Sequence, residues 1–547
     1  MRPFRGQLVL LVLVVLLLVA GAAGVLGLGG PPAPTASRAP GATDTAAASP
    51  ATQPTPTGAG LAPTLSPLPM ASPPTSPPQA TPSPAPTPAP RRSVPLVPVV
   101  GFWTGTTSIS SAQLERALSG ADGEFSQVVV PAGMADAVRA GRPGATVTER
   151  DEAGLLGALD NGALGLVPLP MVDHRFRALA LDDVSLFGNV RVASLDDWPL
   201  EVTIELAEFD WEQADTWTLV AAGDILLDRG VARQTTVLDK GPDFPWDGGT
   251  VAIQRRRCCT VFGWPYPISR RTGNEGALRE LFAEADLAMA NLESAVFPGA
   301  TYHTTGFTFT GEPRLLRGLT NAGVDFVTLA NNHIGNGGRQ GILRTMETLD
   351  ERGIAHAGAG ADVAAASRAT ILDVGGQRVA IISCTAIGGF RAGTDRIGVH
   401  GCGRARTTDM VRQARAEADV VIVAPHWGRE YRLEPAPNQR RLARAWIEAG
   451  ADLVIGHHSH WAGAIEEIGD GLAFYSLGNF IFDQTWSENT MEGLVLELTF
   501  QRGRLVQAWL HPTLILDAAQ PNLLEYDRGG RDVLDRVRDG SRGLFDY

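Results

Sequence analysis

The chain has 547 residues, 44% of them apolar and 19% charged, with a formal net charge of −13. That length exceeds one ordinary domain and supplies enough apolar residues for a sizeable core. The acidic balance excludes nonspecific nucleic-acid binding, because there is no basic excess to displace counterions from phosphates.

In chain order, residues 1–30 come first and read as a membrane segment: Arg2 and Arg5 precede an uncharged run from Leu8 to Gly30. About 20 apolar residues span a bilayer, and flanking positive charge stays cytoplasmic. The expectation is therefore a single-pass anchor in the cell membrane, with the N-terminus cytoplasmic and the bulk extracytoplasmic. The small residues Ala20-Gly21-Ala22-Ala23 leave open the alternative of a signal peptide and secretion after cleavage. No Cys stands near them, so a lipoprotein anchor is excluded. Residues 31–96 are rich in Pro, Ala, Thr and Ser and hold about half of the chain's 38 prolines. This composition cannot build a core and reads as a disordered linker, partly polyproline II.

Residues 97–210 alternate helix-like and strand-like runs, SSAQLERALSG, QVVVPAG, EAGLLGALDNG and ALGLVPLP among them. They read as a small α/β domain. The run Gly165–Leu186 weakly resembles segments of solute-binding domains, but a spacer or partner-docking role is the plainer reading. Of the Cys residues, Cys258 and Cys259 are adjacent, while Cys384 ends an apolar strand-like run and reads as core. Outside the cytoplasm an even count permits disulfides; vicinal pairs seldom bond to each other, and the pairing stays open.

From Thr216 onward, apolar runs repeatedly end in polar, metal-capable side chains. The strand-like TWTLVAAG delivers Asp224, DLAMANLE delivers Glu293, VDFVTLANNH delivers Asn332 and His333, DVVIVAPHWG delivers His426, and ADLVIGHHSH delivers His457, His458 and His460. Helix-like segments lie between these strands, which implies βα units and a parallel sheet, and ligands of such sheets gather beyond the carboxyl ends of the strands. GLAFYSLGNFIF, GLVLELTF and RLVQAWLHPTLI follow as consecutive strands, so the sheet is mixed. Imidazoles, carboxylates and an Asn carbonyl suit a divalent ion that activates water, namely Mn, Fe or Zn, as one ion or two. Arg429 and Arg432 flank the His426 motif and Arg339 follows His333, where they offer help for an anionic substrate.

Seven ordered motifs, AAGDILL, ANLESAVF, AGVDFVTLANNH, TMETLDERGIAHAGAG, HWGREY, GADLVIGHHSHWAG and YSLGNFIFDQ, resemble the CapA/PgsA family of poly-γ-glutamate capsule proteins, related to calcineurin-like metallophosphoesterases. The resemblance implies an α/β fold whose main domain, residues 216–515, is a calcineurin-like four-layer αββα metallophosphoesterase-type domain with mixed sheets, followed by a tail over 516–547. It makes Asp224 a first-site ligand and catalytic, and puts Glu293 near the bridging-carboxylate position. Asn332, His426 and His458 complete a second site, His460 serves the first, and His333 protonates the leaving group or stabilises the transition state. Arg429, Glu430, Tyr431 and His457 would shape the substrate pocket or support it.

Departures accompany these matches. Leu226 stands where phosphoesterases carry a His ligand, Glu293 replaces an Asp, and Asn336 stands where many relatives have Asp. Asp228 reads as a helix cap. The implied role is poly-γ-glutamate capsule biosynthesis or export, with an anionic envelope polymer, the membrane and capsule synthase subunits as partners and no nucleic acid. Two mechanisms remain: metal-dependent hydrolysis, or non-catalytic polymer binding by a degenerate pocket.

Overall fold

The computed structural model describes residues 89–547 apart from Asp122 and Val261, so the expected anchor and most of the Pro-rich linker lie outside the described residues. Among the described residues no helix is long and apolar enough to cross a membrane.

The strand Arg91–Gly101 begins inside the segment whose composition reads as linker, because Val94, Leu96 and Val97 find apolar cover and are buried. It runs antiparallel to Leu164–Pro168, Phe176–Ala178 and Glu201–Glu205, while Val128–Pro131 pairs in parallel with Leu164–Pro168 and Thr148–Arg150. The helices Ser111–Leu118 and Glu152–Asp160 start where Ser110 and Asp151 accept hydrogen bonds from the backbone of Gln113 and Gly154.

Two further sheets, one of ten strands and one of six, make up most of the rest. In the ten-stranded sheet, Thr216–Ile225 lies parallel to Leu287–Leu292 on one side and antiparallel to Glu492–Gln501 on the other. The six-stranded sheet has parallel Gln377–Thr385, Val420–His426 and Leu453–Ile455 at its centre. Successive residues of a strand face opposite ways, and both faces of these strands are covered. Leu219, Met289 and Phe326 meet Ile381, Ile422 and Leu453 in one core between the sheets. Val220, Ala288 and Val327 pack instead on Phe282, Leu319 and Ile342 of helices. Ile382, Val421 and Val454 pack on Val411, Leu442 and Trp446 of the helices Arg404–Arg415 and Pro437–Ile447. The order of layers is thus helices, sheet, sheet, helices, and the mixed α/β character read from the alternation is present.

Several elements carried no sequence signal. The antiparallel hairpin of Thr250–Arg257 with Tyr266–Gly273 extends the edge of the ten-stranded sheet. Residues 520–540 contribute a strand, Gln520–Leu524, and a helix, Gly530–Gly540, whose Val533, Leu534 and Val537 enter the core between the sheets. Cys384, buried in the core as expected, is also disulfide-bonded to Cys402, and the adjacent Cys258 and Cys259, contrary to expectation, pair with each other.

Candidate metal centre

The polar side chains sit where the strands stop. Asp224 is the penultimate residue of the strand Thr216–Ile225, Glu293 comes just after Leu287–Leu292, and His426 closes Val420–His426. The first two strands are parallel neighbours in the ten-stranded sheet and the third lies in the six-stranded sheet packed against it, and their carboxyl ends converge. His458 and His460 occupy left-handed backbone, at φ 95° and 59°, which aims two side chains of one short loop at the same place.

Two groups result. Glu293, His426 and His458 bring ligand atoms within 4.8 Å of one another, and so do Asp224, Glu293 and His460. Glu293 belongs to both. Its Oε1 lies 3.2 Å from His426 Nε2, yet neither carboxylate oxygen makes a hydrogen bond, and the residue is 0% exposed. A buried carboxylate with unsatisfied oxygens is costly unless something else binds it. The buried His458 Nδ1 is likewise without a partner. Acid oxygens and imidazole nitrogens left open toward one point fit a divalent transition metal.

Electrostatics agree with that fit. Burial pushes the Glu293 carboxyl up to about 7 and, with the neighbouring Glu293 charge, holds Asp224 well above the usual carboxylate range. Burial also drives His458 down to about 2 and His460 to about 3, and depresses His426. The imidazoles are therefore neutral at physiological pH, the form that ligates metal.

The supporting shell is amide-rich. Asn291 Nδ2 donates to Asp224 Oδ1 at 2.7 Å, and Asn479 Oδ1 lies 2.8 Å from His460 Nδ1. Asn332 Oδ1 lies 2.7 Å from His426 Nε2. Asn331 fixes the turn, accepting from the backbone N–H groups of His333 and Ile334 at 3.0 and 2.9 Å and donating to Leu292 O at 2.8 Å. His333 stacks on Phe309 at 3.9 Å, and its Nε2 is 3.9 Å from Glu293 Oε1. Asn336 Oδ1 lies 3.0 Å from His333 Nδ1 and accepts from Phe309 N at 2.7 Å, so it positions both rings.

The remaining sequence candidates scatter. His457 is 1% exposed, with Nδ1 3.6 Å from Asp224 Oδ1. Tyr431, at φ 61°, stacks toward His460 with centroids 6.0 Å apart. Arg429 and Glu430 are exposed beside it. Arg339 is spent on the Ile397 carbonyl and the Phe390 ring. Asp228 caps the turn at Arg229 and takes His303 and Thr310 N–H groups as well, so its oxygens are used. Leu226 packs with Phe309, Phe482 and Ile515. Sequence reading missed Asn291, Phe309 and Arg229. Asn291 sat in a quoted motif, but its partners come from other strands.

The profile of the bacterial capsule synthesis protein family PGA_cap matches residues 218–484. Over 186 residues the chain is 33% identical to the capsule biosynthesis protein CapA of Bacillus anthracis, covering 33% of this chain and 45% of that protein. Over 169 residues it is 37% identical to the PGA biosynthesis protein CapA of Bacillus subtilis, covering 30% of this chain and 44% of that one. A probable polyglutamine synthesis accessory protein of Mycobacterium tuberculosis is 29% identical over 295 residues, 49% of this chain and 75% of its own length. The chain thus spans less than half the length of either CapA protein it matches.

Proposed function

The chain belongs, through residues 218–484, to the bacterial capsule synthesis family PGA_cap, and from that premise we propose that it is an extracytoplasmic, membrane-anchored protein of poly-γ-glutamate capsule biosynthesis whose acid–histidine cluster is a metal-dependent hydrolase site. The domain is then calcineurin-like. One observation carries the reading: the buried Glu293, with two unpartnered oxygens, stands between His426 and His458 on one side and Asp224 and His460 on the other.

In this reading Asp224, Glu293, His426, His458 and His460 hold the ion. A divalent ion so bound supplies a water made acidic enough to attack at neutral pH. Asn291 and Asn479 orient Asp224 and His460. His333, held by Asn336 and Phe309, carries the proton for the departing group. The second reading, a polymer-binding scaffold, is favoured by Leu226, which leaves the Asp224 side of the cluster short of one imidazole.

The test is elemental mass spectrometry on the full-length chain purified without chelator, paired with a poly-γ-glutamate chain-length assay, beside a His458→Ala/His460→Ala variant. Near-stoichiometric Mn, Fe or Zn, lost in the variant, with shortening of the polymer supports hydrolysis. Metal with polymer retention but no shortening supports the scaffold. A folded chain that takes up none of these ions and ignores the polymer overturns both.

A further inference from the structure

The aromatic side chains that the fold leaves in solvent are not scattered. Among the described residues the exposed large aromatics are Phe262, Trp264, Tyr302 and Phe307, at 67%, 39%, 36% and 82%. The first two stand between the strands Thr250–Arg257 and Tyr266–Gly273, and the other two in the loop that follows Ala295–Val296. Single exposed apolar residues are ordinary, but clustered ones mark a binding surface.

These segments wall one cleft of about 600 Å³, closed on its other sides by Tyr431 and Trp486. The rings are set edge to face: Phe262 meets Trp486 at 5.9 Å and 75°, and Tyr431 meets Trp486 at 5.0 Å and 82°. Such packing holds Phe262, Tyr431 and Trp486 against one another, so ring faces are held ready for a ligand at little entropic cost.

Charge decides what the ligand is. The charged side chains lining the cleft are Arg229 and Asp483, and they are ion-paired with each other. Asp483 Oδ2 also accepts from Gly230 N at 3.0 Å. A polyanion therefore meets no uncommitted cation there. Thr304, Thr305 and Gln484 add neutral hydroxyl and amide groups to the lining. Electron-rich ring faces attract C–H groups, and hydroxyls and amides both donate and accept. A pyranose ring, with an apolar C–H face and a rim of hydroxyls, has that combination.

The cleft is also continuous with the metal cluster. Tyr431 stacks toward His460, and Arg229 lies 4.6 Å over the Phe309 ring that supports His333. We propose that this aromatic cleft is a saccharide subsite, taking a ring of a neutral glycan beside the candidate metal centre. It goes beyond the function proposed above, and it needs no bound metal.

The experiment titrates the full-length chain, in a detergent without a sugar headgroup and with EDTA present, and reads tryptophan fluorescence and calorimetric heat. The probes are the β-1,4-linked tetrasaccharides of glucose, mannose and N-acetylglucosamine, with a γ-glutamate oligomer as the anionic counterpart. At least one tetrasaccharide binds at one per chain, and Trp486→Ala weakens it about tenfold while Trp486→Phe largely keeps it. Phe307→Ala, a truncation at a position 82% exposed that cannot unfold the chain, weakens it as well. The proposal is overturned if no tetrasaccharide binds at millimolar concentration, if Trp486→Ala and Phe307→Ala bind as the unaltered chain does, or if only the γ-glutamate oligomer binds. Because EDTA is present throughout, such a failure leaves the metal reading untouched, and an absence of metal leaves the saccharide result standing.

Discussion

Leu226 is the residue on which the count of metal ligands turns. It is 0% exposed and packs with Phe309, Phe482 and Ile515, two of which touch site imidazoles. A side chain so placed supports the site as packing and donates nothing to it. Leu226→Ala should cost about 3 kcal/mol of stability, as large-to-small changes in a close-packed core do, and leave metal stoichiometry unchanged. Urea unfolding and elemental analysis of the same preparation check this, and a loss of metal without a loss of stability would refute it. At this scale the gathering of Asp224, Glu293, His426, His458 and His460 in one place was legible, because each ends or follows a buried apolar run, while Asn332, read as a ligand, lies with its Oδ1 2.7 Å from His426 Nε2. Asn291 and Asn479 were not legible as positioning groups. Their value lies in one hydrogen bond each to a residue on another strand, and neither spacing nor composition encodes that partner.

Among the elements, the parallel strands announced themselves because burial on both faces demands continuous apolar sequence. The hairpin of Thr250–Arg257 with Tyr266–Gly273 did not, since its arginine-rich second halves are exposed and lack a clean alternation. The helix Gly530–Gly540 was hidden for another reason: residues beyond 515 fall outside the motif-bearing region and read as tail. That helix docks partly through Arg536, which faces Glu492, and through Asp532, which accepts from Arg256 Nη2 at 2.7 Å. Burial outweighs the guanidinium and pushes the Glu492 carboxyl up to about 8, against about 4.3 in an unfolded chain. Between those values the folded chain keeps a proton that the unfolded chain has lost. The contribution of this group to stability is therefore full below the lower value and is lost as pH rises through the window, by at most about 1.4 kcal/mol per pH unit. Glu492→Gln should flatten that slope while changing little near pH 4. Urea midpoints measured from pH 4 to 9 test it, and parallel slopes for both chains would sink the assignment.

At the scale of the whole molecule, the sequence reads as separate small and large α/β parts, and composition alone offers no view of how they meet. The structure joins the described residues in one compact unit. The contact is specific as well as apolar. Glu497 Oε1 accepts from Asn189 N at 2.8 Å, Thr499 Oγ1 from Gly188 N at 3.0 Å, and Gln507 Oε1 from Ala178 N at 2.9 Å. Each acceptor belongs to a strand of the ten-stranded sheet, and Val506 of that sheet completes the core of the smaller part. Separating the parts would exchange these hydrogen bonds for bonds to water, at a net cost of roughly 0.5–1.5 kcal/mol each, beyond the apolar surface exposed. The two parts should consequently unfold together. Differential scanning calorimetry of the full-length chain is expected to give one main transition. Glu497→Ala, which leaves the Asn189 N–H and His511 without their carboxylate partner, should lower its midpoint by a few degrees. Should the single transition instead split into two, with only the lower one moved by Glu497→Ala, residues 91–210 would be an autonomous module resting on the larger domain.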